Sequence, residues 1–151
     1  MKKMMKNRKG FTLMEMLIVV AIIAILVIIA IPTFNSALAK SRAATDLANI
    51  RSGYAAAQVE AMTEGIKGAG AGKNSVEYYL QNDGTVAATG ANDYTCVGAA
   101  QNAGTTDSTL VGGVVKATEI NWAKGSKIKY TVTENAQDGT ISVKIEAVAG
   151  K

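Results

Sequence analysis

One acidic side chain, Glu15, stands inside an apolar run that reads Phe11 to Ile31 with Thr12 as its only other polar residue. The run is about 21 residues long, enough for a helix to cross the ~30 Å hydrocarbon core of a bilayer. An ionisable group at that depth costs roughly 2.5–3.5 kcal/mol on insertion scales, which marks Glu15 as a functional position in need of a partner.

The residues ahead of the run, MKKMMKNRKG, hold Lys2, Lys3, Lys6, Arg8 and Lys9 and no acid. A basic flank before an apolar stretch is an export signal whose charges stay on the cytoplasmic side. Ordinary secretory signals have a shorter apolar core, roughly 7–15 residues, followed by a small-residue cleavage site. Here the run is longer, and the alanines behind it (Ala37, Ala39, Ala43, Ala44) are interrupted by Lys40 and Arg42. The small residue at the junction is Gly10, on the cytoplasmic side. A signal anchor holding a monomeric binding domain at the membrane accounts for the flank and the length. It accounts neither for Glu15 nor for the glycine directly before the run.

The segment Gly10-Phe11-Thr12-Leu13-Met14-Glu15, the apolar residues Met16 to Leu26 and the later Ile31-Pro32 resemble the N-terminal signature of type IV prepilins and pseudopilins. The resemblance covers about the first third of the chain. It implies cleavage between Gly10 and Phe11 by a membrane prepilin peptidase, N-methylation of the new Phe11 amine, and retention of the apolar helix in the mature subunit. It also implies assembly into a homopolymer through Phe11, Thr12 and Glu15, the Glu15 carboxylate meeting the Phe11 amine of a neighbouring copy. The implied partners are the peptidase and N-methyltransferase, an assembly platform and a motor ATPase. The implied route runs from the cytoplasmic membrane, single-pass with the N-terminus inside, to an extracellular pilus. Low dielectric strengthens a carboxylate–ammonium pair, so the implied role is physically coherent.

Composition narrows the alternatives. The chain carries +4 overall, but five of its 16 Lys and Arg residues lie in the leader, leaving 11 against 12 acids. The mature chain is near neutral, and the pI of about 9.2 is no argument for nucleic-acid binding. Cys96 is the single cysteine, so no intrachain disulfide forms; many type IV pilins carry a cysteine pair here, and this chain departs from them. Its head must be held by packing, a bound ion or neighbouring copies. Cys96 itself reads as a small buried hydrophobe.

The expected organisation is a leader at 1–10, an apolar helix at 11–32, an amphipathic helical half at 33–64 and a globular head at 65–151. Pro32 lacks an N–H donor and should kink the helix there. On a 3.6-residue period, Phe34, Ala37, Leu38, Ser41, Ala44, Ala48, Ala55, Val59 and Met62 share one face, predicted to pack on the head. Asn35, Arg42, Asp46, Asn49 and Glu60 share the other, predicted to face solvent. Gly65 to Gly72 reads as a loop. Ser75–Leu80 fits a short helix or a strand, and short strands are expected near 85–88 and 94–97. Residues 127–134 and 140–148 alternate as strands, joined by a hairpin ending in Asp138-Gly139. A strand near 118–122 completes a three-stranded antiparallel sheet carrying Trp122. The fold class is α+β, a long helix on a small antiparallel sheet.

Little in the chain suggests enzymatic chemistry or a cofactor. There are no histidines, which removes the commonest general base and metal ligand. Ala71-Gly72-Lys73-Asn74 fails as a phosphate loop, because Lys67 occupies the first glycine position and Asn74 that of Ser or Thr. Asp83, Asp93, Asp107 and Asp138 lie in polar loops without calcium-site spacing, and read as turn residues. Lys116, Lys124, Lys127, Lys129 and Lys144 read as a solvated sheet face rather than a patch for DNA or surfaces. Pro32 is the only proline, whereas the major secretion pseudopilins carry a Pro-containing loop and an Asp-Pro-Trp-Gly-like calcium segment. That favours a pilin over a pseudopilin of type II secretion or DNA uptake.

Overall fold

The computed structural model describes residues 10–64, 66, 75–88, 92–102, 110–113, 115–135 and 137–150. It divides into two compact units, the first ending at Ala37 and the second running from Leu38. Helix α1 (Leu13–Glu64) contributes to both and is unbroken at Pro32. The GIKGAGAG loop apart from Ile66, the Ala71–Asn74 segment and Asp107 lie outside the described residues.

In the first unit every side chain of α1 is exposed. Leu13, Ile23, Ile28 and Phe34 each keep more than half of their surface free, and among the described residues of this unit nothing covers them.

The second unit packs α1 from Leu38 onward against a four-stranded antiparallel sheet. The strands are β1 (Ser75–Leu80), β2 (Val86–Ala87), β5 (Lys127–Glu134) and β6 (Ile141–Val148), in the order β2-β1-β5-β6. A two-residue pair, β3 (Leu110–Val111) and β4 (Val115–Lys116), and a single helical turn, α2 (Ala117–Ile120), complete it. The alternation in 127–134 behaves as expected. Ile128, Tyr130 and Val132 are fully buried, while Lys127 and Lys129 lie on the outer face in ion pairs with Asp93, and with Glu77 and Glu146. The hairpin closes as anticipated, with Gly139 in the left-handed region (φ 70°) that Asp-Gly turns favour.

Two expectations are corrected. The third strand of the sheet is Ser75–Leu80, paired with β5 from Ser75↔Thr133 to Tyr79↔Lys129, and not the 118–122 segment. The latter forms α2, ended by Asn121 at φ 47°, so Trp122 enters the core from a loop. Residues 94–97 likewise make only an isolated bridge, Thr95↔Lys127, rather than a strand.

The helix orientation is also reversed. Ala43, Asp46, Leu47, Ile50, Gly53, Tyr54, Ala57 and Ala61 are buried, whereas Ser41, Ala44, Ala48, Ala55, Val59 and Met62 are exposed. Alanine is nearly indifferent to burial. Leu47, Ile50 and Tyr54 gain roughly 1.5–3 kcal/mol apiece from it and set the face. Gly53 is needed there because a Cβ would collide with the Tyr130 hydroxyl and Leu80. That hydroxyl donates to the Ile50 carbonyl at 2.9 Å, so the sheet's central strand is hydrogen-bonded to the helix backbone.

Candidate functional site

The N-terminal site begins at an exposed glycine, Gly10, followed by Phe11 at 80% exposure. Helix α1 starts at Leu13, which makes Thr12 its N-cap and Glu15 its third residue. The Glu15 backbone N–H donates to the Thr12 hydroxyl at 3.2 Å, and the Thr12 backbone N–H donates to the Glu15 carboxylate at 2.8 Å. The Thr12 hydroxyl also donates to that carboxylate at 3.0 Å. This is a reciprocal capping box, and its negative charge lies against the positive end of the helix dipole. Glu15 thus has a partner within its own chain, which the sequence reading left to a neighbour's amine. The Thr-x-x-Glu spacing preceding an apolar run was the available signal. Pro32, the fifth residue singled out, lies far along the helix and takes no part in this cluster.

A second polar centre escaped the sequence reading. Asp46, predicted to face solvent, is fully buried and accepts four hydrogen bonds from distant parts of the chain. One oxygen takes the Tyr94 hydroxyl at 2.7 Å and the Val97 N–H at 2.9 Å. The other takes the Gly98 N–H at 2.7 Å and the Trp122 indole N–H at 3.1 Å. No cation joins it among the described ion pairs, so backbone and side-chain dipoles alone hold the carboxylate. Burial, aided by the Asp46 charge, pushes the neighbouring Cys96 thiol up to about 12, and burial together with the hydrogen bond it donates to Asp46 raises the Tyr94 phenol to about 12.

The loop aspartates sit in local turns. Asp83 accepts from the Thr85 N–H and hydroxyl, and Asp138 does the same with Thr140. Asp93 accepts from Lys127 and Gln81. Among the described residues no three potential metal-binding side chains converge. The polar centre at Asp46 is structural in its geometry, all four of its donors belonging to the fold that covers it.

Residues 5–31 match the family described as the prokaryotic N-terminal methylation motif. The chain carries the prepilin signature. The match takes in Gly10, Phe11, Thr12 and Glu15 and stops one residue before Pro32. That motif is the signature of type IV prepilins and pseudopilins, a structural class, and it implies processing by a prepilin peptidase and polymerisation. With the apolar half of α1, the prepilin signature fits membrane anchoring before assembly. No solved structure matches the chain.

Proposed function

We propose that this chain is a type IV pilin, cut between Gly10 and Phe11, methylated at Phe11 and polymerised from the cytoplasmic membrane into an extracellular filament. The observation that carries the reading is the complete exposure of α1 from Leu13 to Ala37. Among the described residues nothing packs on this surface, so it needs lipid first and other helices afterwards. Lipid tails are as apolar as those helices, so transfer between the two is close to neutral, and packing with polar contacts decides register. Glu15 supplies the polar contact, its carboxylate passing from its own Thr12 to the Phe11 amine of a neighbouring copy. Pro32 bends the helix where the apolar half ends. Extraction needs work from a motor ATPase acting through an assembly platform.

Electron microscopy of producing cells, with and without the chain, tests the proposal alongside mass measurement of the mature subunit. Long fibres that vanish with the chain, built of a subunit starting at methylated Phe11, are expected. Fibres seen only on overproduction assign it to the pseudopilins instead. Uniform envelope staining without fibres, or a mature chain that keeps its leader, refutes both.

A further inference from the structure

We propose that strand β6 is a self-complementary edge that docks on β6 of a second copy of this chain, with Ile145 on the two-fold axis. Granted the reading of the chain as a filament subunit, this edge joins neighbouring filaments that run in opposite directions.

β6 ends the order β2-β1-β5-β6, so β5 flanks it on one side only. Its eight residues pair with β5 without a bulge, from Ile141↔Glu134 to Val148↔Lys127, and include neither proline nor glycine. A long, regular edge of this kind is a template for another strand unless something blocks it. The Asn135 N–H donates to the Thr140 carbonyl at 2.9 Å, which fixes the phase of the ladder. Antiparallel pairs alternate between hydrogen-bonded and non-bonded. Ser142, Lys144 and Glu146 therefore turn their backbone groups toward β5, while Val143, Ile145 and Ala147 turn theirs outward. Among the described residues no backbone bond takes up those outward groups.

Charge selects the partner and the register. Lys144 pairs with Glu146 along the strand at 2.7 Å, and its side chain is still 71% exposed. A lysine in mid-edge ordinarily wards off a second strand. With two β6 strands antiparallel about Ile145, Lys144 of each copy falls opposite Glu146 of the other. These are non-bonded pairs, in which Cα atoms approach to about 4.5 Å and opposite charges attract across the strands. Val143, Ile145 and Ala147 of one copy meet Ala147, Ile145 and Val143 of the other in about six backbone hydrogen bonds. An axis at Lys144 or Glu146 sets like charges face to face. One at Val143 sets Lys144 against Ser142, and one at Ala147 sets Glu146 against Val148. The Ile145 axis alone satisfies both the outward backbone groups and the charges.

That axis stands normal to the sheet, and α1 from Leu38 onward packs along the sheet's inner face. The two-fold rotation therefore reverses the helix. Copies within one polar filament share a helix direction, so paired copies belong to different filaments.

Electron microscopy of sheared fibres tests the proposal. Wild-type fibres should lie in bundles with neighbours of opposite polarity. Lys144→Glu should lower the bundled fraction by at least about 10-fold, and adding Glu146→Lys should restore it. Unchanged Trp122 fluorescence shows that the head stays folded. Hydrogen exchange at the Val143 and Ile145 amides should be fast in dispersed Lys144→Glu fibres and slow in bundles. Bundles that persist in Lys144→Glu, bundles of uniform polarity, or no recovery in the double variant overturn the proposal. Slow exchange in dispersed fibres overturns it too, because the chain's own residues then cover the edge. If wild type makes no fibres, the filament reading fails separately. Native mass spectrometry of the full chain in detergent then decides: a dimer lost in Lys144→Glu upholds the docking edge, and a wild-type monomer overturns it.

Discussion

The Trp122 indole N–H donates to the Asp46 carboxylate at 3.1 Å across 76 residues of sequence. Both groups are buried, and neither has water to fall back on. Three further donors reach the same carboxylate from Tyr94, Val97 and Gly98, so one side chain on α1 fixes the loops that cover it. A head without a disulfide still acquires a cross-link, a noncovalent one. Removing one member of a charged, buried hydrogen-bond set leaves the others unsatisfied, which weighs more than the set contributes when intact.

Asp46→Ala should therefore destabilise the second unit by about 3 kcal/mol or more, with three orphaned N–H donors and a phenol left behind. Asp46→Asn should fall in between, because its amide nitrogen turns a donor toward donors. Guanidinium unfolding of the full chain in detergent, followed through Trp122, measures both. An Asp46→Ala midpoint equal to wild type would show that the carboxylate is solvated in solution.

Alkaline pH should unfold the same unit. Burial raises the Cys96 thiol from 9.0 to about 12 and the Tyr94 phenol from 10.0 to about 12, while Tyr130 is raised further still. A group whose folded pKa lies above its unfolded value contributes stability that is complete below the unfolded value. That stability is lost as pH climbs to the folded value. The loss begins near pH 9 with Cys96 and grows from pH 10 with the tyrosines. Cys96→Ala should delay the onset by about one pH unit, read from unfolding midpoints at successive pH values, and at pH 8 the native thiol should resist alkylating reagents.

The strands at 127–134 and 141–148 were legible because Ile128, Tyr130 and Val132 alternate with polar residues, and a period of two reports directly which face is buried. The long helix was legible for the same kind of reason. Its rotation was not. Phe34, Val59 and Met62 suggested one face, but Leu47, Ile50 and Tyr54 occupy the opposite one, and their partners are remote in sequence. Asp46 was misplaced because a lone carboxylate reads as solvent-facing, and its donors at 94–98 and 122 carry no pattern tied to position 46. The 118–122 segment looked like a strand by composition; the left-handed Asn121 turned it into a helical stop. At the N-terminus everything needed was local, within Thr12-Leu13-Met14-Glu15.

Close packing predicts a second sensitivity, at glycine. Gly98→Ala drives a Cβ to 2.5 Å from the Ala43 nitrogen and 2.8 Å from its Cα, contacts with helix backbone that cannot rotate away. Overpacking of this kind costs about 1–3 kcal/mol. Gly139→Ala, in an open turn at φ 70°, meets no neighbour and should carry only the backbone penalty of about 1 kcal/mol. Comparing the two melting midpoints separates crowding from conformation; a larger loss for Gly139→Ala would contradict the packing at Gly98.

Thr12 and Glu15 yield the prediction closest to function. In the isolated chain Thr12 supplies Glu15 with two donors, so the carboxylate enters the membrane already partnered. Thr12→Ala removes the hydroxyl but keeps the backbone N–H, and should weaken the cap by about 1 kcal/mol while leaving the charge available to a neighbour. Glu15→Ala removes the charge outright. Membrane insertion and leader cleavage should survive both changes, since length and hydropathy of the run are untouched. Filament yield should drop severely in Glu15→Ala and mildly in Thr12→Ala, by sheared-fibre yield against total processed subunit. Thr12→Ser, which restores the hydroxyl, should recover the mild loss. If Glu15→Ala assembles normally, the carboxylate is only a helix cap, and the pairing between copies has to be abandoned.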